Sequence, residues 1–158
     1  MRDKFEAECA AIEQNCTYTA ETHHIVAAKQ KCLGNALQLV PAVIAAGLGV
    51  LAGAGVLPSW SIWLSAAAAA ISAVTSVLNP FAEYSSHLNA AKGFTILKQD
   101  ARALRSTFSV PMTDDTFAAS TKSLHDRYSD LVRSAPETAN KAFAEAQKRI
   151  KAGTHTLD

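Results

Sequence analysis

The sequence predicts an all-α chain built around an integral membrane helical hairpin. Three observations predict it. No Asp, Glu, Lys, Arg or His occurs between Lys31 and Glu83, whereas charges recur every few residues on either side. Outside that block, apolar residues recur at alternating steps of three and four, the period of an amphipathic helix. Nowhere does the chain alternate with the period of two that a half-buried strand requires. The bulk averages hide this order, because 158 residues with 15 basic and 14 acidic side chains describe an ordinary soluble domain. The near-zero net charge gives no reason to expect nucleic acid as a partner.

The charge-free block contains two candidate spans. Residues 36–57 read ALQLVPAVIAAGLGVLAGAGVL, and residues 60–78 read WSIWLSAAAAAISAVTSVL. At 1.5 Å rise per residue they make about 33 Å and about 28 Å of helix, which matches a hydrocarbon core about 30 Å thick. Only Pro58 and Ser59 lie between them, so the two helices are expected to be antiparallel neighbours. Trp60 and Trp63 sit beside the turn, where indoles anchor at the membrane interface. Gly49 and Gly53 form a GxxxG pair extended by Ala45, a pattern of small residues that lets helices approach closely in lipid. Pro41 is expected to kink the first span. The alternative is a hairpin buried in a soluble bundle, but such core helices seldom lose all charge for so long.

Orientation follows from the loops. The turn carries no Lys or Arg, whereas Lys29 and Lys31 precede the first span and Lys92, Lys98, Arg102 and Arg105 follow the second. The positive-inside tendency therefore places both termini in the cytoplasm of a cell bounded by this inner, plasma membrane. The chain divides into a cytoplasmic N-terminal helix over residues 1–35, a two-helix transmembrane hairpin over residues 36–79 and a cytoplasmic helical region over residues 80–158.

In the first polar block, Phe5, Cys9, Ile12, Cys16, Thr19, His23 and Val26 form a stripe on one long helix. After the spans, Asn79-Pro80 marks a joint. A second stripe runs through Phe81, Tyr84, Leu88, Ala91, Phe94, Leu97, Ala101, Leu104 and Phe108 until Val110-Pro111 ends it. Thr113 starts a helix carrying Phe117, Leu124, Tyr128 and Leu131. Ser134-x-x-Glu137 reads as a capping box for a last helix that carries Ala139, Phe143, Ala146 and Ile150. Such narrow stripes need partners, either each other or neighbouring subunits. The three cysteines, Cys9, Cys16 and Cys32, are odd in number and read as reduced packing residues.

Chemistry-bearing patterns are few. The run GLGVLAGAG lacks the Lys-Ser/Thr and the preceding strand of a phosphate loop. His23 and His24 point about 100° apart on a helix and do not readily share a metal. Glu83 and His87 share a face and are expected to pair with each other. No catalytic set has a distinguishing spacing, so no enzyme, metal or cofactor is expected. In the second span, Ser61, Ser65, Ser72, Ser76 and Asn79 project within about 60° of one another, with Thr75 on the border. Either they bond back to their own helix and to the first span, or they line a water-filled oligomer axis. Gln38 is a candidate for the same role.

The layout resembles the SLATT family of two-transmembrane effector domains, found in bacterial nucleotide-signalling and conflict systems. The resemblance is carried by the long helix ending in HHIVAAKQKCLGNALQLVPAVIAAGLGVL, the near-absent loop LPSW, the second span and the helix FAEYSSHLNAAKGFTIL. It implies a membrane effector that oligomerises into a pore and disrupts the host membrane in antiphage defence by abortive infection. Its partners would be the lipid bilayer, other copies of itself, and a separate sensor or nucleotide-signal-producing protein, because the chain has no recognisable nucleotide-sensing domain. The competing expectation is a non-conducting membrane anchor whose cytoplasmic helices recruit a partner.

Overall fold

A computed structural model describes residues 2–153. Those residues are helical with no strand among them, and two of the helices are long and apolar enough to cross a membrane. In chain order they are α1 (Arg2–Gly53), α2 (Ser61–Leu78), α3 (Pro80–Ala103), α4 (Asp114–Ser134) and α5 (Asn140–Lys151), with a π-helical turn at Leu104–Phe108 continuing α3. The chain forms two compact units. One joins the chain up to Ala27 with the chain from Ser85 onward, and the other spans Ala28–Tyr84.

The first unit is a helical bundle with the N-terminal part of α1 inside it. Cys9, Ile12, Cys16 and Ala20 of α1 pack with Ala90, Phe94, Leu97, Ala101 and Leu104 and with Phe117 and Leu124 of α4. These are the positions expected from the three-four stripes, with Ala20 and Ala90 added beside them. Phe94 and Phe117 are fully enclosed, and burying each such ring contributes about 1.5–3 kcal/mol. The opposite side of α1 is also covered, because Ile25 packs against Ala142 and Ala146 of α5. Two-sided burial explains why the polar side chains of Glu21 and Thr22 are enclosed with their apolar neighbours.

Local chemistry sets the helix ends. Thr113 caps α4 by accepting the Thr116 amide N–H at 3.4 Å, as the sequence predicts. The expected capping box at Ser134 does not form. Ser134 is the last residue of α4, and its hydroxyl donates to the Leu131 carbonyl at 3.1 Å. Pro136 disfavours helical backbone in the residue before it. Ala135 is accordingly extended at ψ 141°, the chain is still extended at Ala139 with ψ 143°, and α5 begins only at Asn140. Ala139 thus stands ahead of the last helix rather than on it. Phe143 is 43% exposed, with its ring 6.2 Å from that of Tyr18.

Candidate functional site: the apolar helix pair

The second unit contains the charge-free block. Most of its apolar surface is exposed, including Val43, Val50, Ile62, Trp63 and Val77, each more than two-thirds accessible. The partly covered positions are periodic. On α1 they are Leu37, Pro41, Ile44, Leu48 and Leu51, and on α2 they are Ser61, Leu64, Ala68, Ile71 and Thr75. Steps of three and four on both helices describe two facing heptad seams. Ala68, with its small side chain, is the buried residue of α2.

The break between the helices is longer than the sequence suggests. The apolar run of the first span reaches residue 57, yet α1 stops at Gly53. Gly55 takes the left-handed conformation at φ +70°. Its N–H then reaches the Ala52 carbonyl at 3.0 Å, and the Val56 N–H reaches that of Leu51 at 3.0 Å. These two bonds make a Schellman cap, which needs a residue that tolerates positive φ. The helix runs unbroken through Pro41. At the other end of α2, Asn79 adopts φ 40° and ψ 58°. Its N–H bonds the Thr75 carbonyl, and its own carbonyl accepts the Ala82 N–H, both at 3.0 Å. Pro80, which has no N–H to donate, opens α3 directly after it.

The sequence-derived site residues divide between seam and surface. Ser61 and Thr75 lie on the seam; Ser65, Ser72 and Ser76 are exposed beside it, as is Gln38 on α1. The Ser65, Ser72 and Thr75 hydroxyls donate to the carbonyls of Ser61, Ala68 and Ile71 at 2.9, 3.0 and 2.8 Å. Asn79 serves as a backbone cap at the end of the stripe. Ala45, Gly49 and Gly53 are exposed, and a Cβ added at Gly49 or Gly53 would meet nothing within 4 Å. The GxxxG pair is therefore not what α1 and α2 pack through. Trp60 precedes α2 and Trp63 lies in its first turn, 54% and 79% exposed.

Two contacts in this unit went unforeseen. Gly34 is buried under the ring of Phe81, and the Lys31 ammonium lies 5.8 Å from the centre of the Tyr84 ring. A lone glycine just ahead of an apolar run was the available signal for the first.

His23 and His87 are both buried, and their Nδ1 atoms lie 2.9 Å apart. Burial, followed by the neighbouring His87 and His24, pushes His23 down to about 4. Burial pushes the Cys16 thiol up to about 12 and raises that of Cys9 as well, whereas Cys32 is exposed. Among the described residues no three His, Cys, Asp or Glu side chains gather as a metal site would require.

The fold and these features define an all-helical protein with two candidate membrane-spanning helices. No family model, curated protein or solved structure matches the chain.

Proposed function

We propose that the apolar unit is a transmembrane hairpin with both termini in the cytoplasm, and that copies assemble through one face of it into a membrane-permeabilising effector of the kind the SLATT resemblance implies. One observation carries this reading. At 100° per residue, Ser65, Ser72 and Ser76 fall on one flank of the α2 seam. On an antiparallel partner, Gln38, Ala45 and Gly49 fall on the same side of the pair. The other side carries Val40, Val43 and Val50 with Trp63, Val74 and Leu78. A hairpin in lipid would then present a small, hydrogen-bonding face and a bulky apolar face. Polar groups in a membrane favour the protein interior over lipid, which turns the first face toward other copies. The trigger would come from a separate sensor or signal-producing protein.

The test is expression in bacterial cells carrying a membrane-potential dye, paired with ion flux from liposomes holding the purified protein. Depolarisation and flux are expected. Intact potential, together with vesicles as tight as empty ones, would remove the pore.

A second reading, a non-conducting anchor that recruits a partner, has its own support. The Ser65 and Ser72 hydroxyls already bond back to their own helix, as they do in hydroxyl-bearing membrane helices that carry no water. Retained membrane insertion without flux would favour it.

A further inference from the structure

We propose that the His23–His87 contact is a proton-operated latch between α1 and α3 of the bundle, closed while the two rings share one proton and open when both carry a charge. It stands whether or not the apolar helices conduct.

The geometry is that of a pair with room for one hydrogen. Two Nδ1 atoms 2.9 Å apart need one donor and one acceptor. A neutral pair supplies this with opposite tautomers, and a singly protonated pair supplies it with a charge-assisted bond. In a doubly protonated pair both Nδ1 atoms carry hydrogen, and the two N–H groups point at each other. At 2% and 4% exposure the rings cannot turn to water for relief. The contact must then break, and α1 must separate locally from α3.

The surroundings keep His23 neutral. Burial, and after it the neighbouring His87 and His24, resist a charge on His23. The His23 ring is stacked on Phe94 with centroids 5.7 Å apart. Behind Phe94 stands Tyr128 of α4, whose phenol burial keeps neutral. On α1, His24 lies one position away. Glu21 faces the other side of that helix, paired with Arg149 of α5 at 3.5 Å.

Placement gives the latch a purpose. Along the chain, His23 lies just before Ala27, where α1 leaves the bundle unit, and His87 just after Ser85, where α3 joins it. Both rings thus belong to the bundle unit, within a few residues of the points where α1 and α3 cross its boundary along the chain.

The sign follows from the lowered value. A histidine depressed in the folded state contributes its full stability above its ordinary value of 6.5 and loses it as pH falls toward about 4.

The test uses full-length protein labelled with 15N at histidine, in detergent micelles. Long-range proton–nitrogen spectra should show His23 less than about one-tenth protonated at pH 5.5, where an ordinary imidazole is about nine-tenths protonated. Hydrogen-exchange protection of residues 16–27 and 87–97, corrected for intrinsic rates, should fall at least about tenfold between pH 6.5 and 4.5. That fall should vanish in His23→Gln. If that variant does not fold, His23→Phe, which keeps a ring against Phe94 and removes the titratable nitrogens, supplies the same comparison. Ordinary titration of His23, or wild-type protection that stays flat across this range, would overturn the latch.

Discussion

The ring of Phe81 rests end-on against Gly34, so that a Cβ on Gly34 would stand 3.0 Å from Phe81 Cζ and 3.1 Å from Cε2. Helix α1 thus spends a glycine where an alanine would favour it by about 1 kcal/mol. The clash makes the effect of substitution depend on its neighbour. Gly34→Ala is expected to lower stability in the otherwise unaltered protein, because Phe81 must move. In a Phe81→Ala background it should instead raise stability by up to about 1 kcal/mol. Thermal unfolding of the four proteins in detergent measures this coupling, and an equal effect in both backgrounds would contradict it.

The glycines of the first span should separate into two classes. Gly55→Ala forces a side chain into left-handed backbone and is expected to cost about 1–2 kcal/mol of stability. Gly49→Ile and Gly53→Ile meet open space within one chain. They should leave that chain folded and weaken association between chains. Crosslinking in membranes should show smaller species for the latter pair, and an unchanged ladder would mean that other surfaces hold the copies together.

Lysine substitutions distinguish the two outward faces of the pair. A cation on a lipid-facing position costs about 2.5–3.5 kcal/mol on insertion scales. Ser72→Lys is expected to insert and to shift ion selectivity toward anions, because it would meet water in an open pore. Val74 is 51% exposed on the opposite flank, and Val74→Lys should impair insertion. Equal tolerance at both sites would argue against the sorted faces.

Topology has a direct measurement. In a variant freed of its native cysteines, single cysteines replacing Ser59, Lys4 or Asp158 should react with an impermeant maleimide in intact cells at Ser59 alone. Labelling of either terminal position would overturn the both-ends-inside arrangement.

The thiols should differ sharply in reactivity. With Cys16 pushed up to about 12, its thiolate is negligible at pH 8, whereas Cys32 is exposed. Mild alkylation at pH 8 is expected to modify Cys32 and to spare Cys16 and Cys9 until the bundle is unfolded, as mass spectrometry of the fragments would reveal.

Much of the fold was legible because burial leaves a periodic trace. The stripe Phe5, Cys9, Ile12, Cys16 and the stripe Phe94, Leu97, Ala101, Leu104 both meet in one core. The joint at Asn79-Pro80 and the cap at Thr113 were legible from local chemistry alone. Other features depended on information the local pattern lacks. Gly55 closes the helix, but Gly47, Gly49 and Gly53 nearby offer the same residue type, and only the three-dimensional course of the turn selects among them. Ser134 matched a capping box, yet Pro136 holds the preceding backbone extended and overrides the match. His23 finds His87 across 64 positions of sequence, a pairing that no spacing rule on one helix can show. The outward position of the GxxxG pair was equally hidden, because a helix tells nothing of which side its neighbour occupies.

Because α1 contributes to both compact units, the order of synthesis constrains how this protein can mature. The early residue Cys9 waits for Thr121, a hydrogen-bonding partner 112 positions later and 3.7 Å away in the finished bundle. By the time the ribosome has made that partner, the whole apolar block has already emerged. A membrane-targeted chain would therefore commit its hydrophobic segments first and fasten its polar helices afterwards. Nascent chains halted before α4 should carry an unfinished N-terminal helix, open to chaperones and proteases, for as long as the halt lasts.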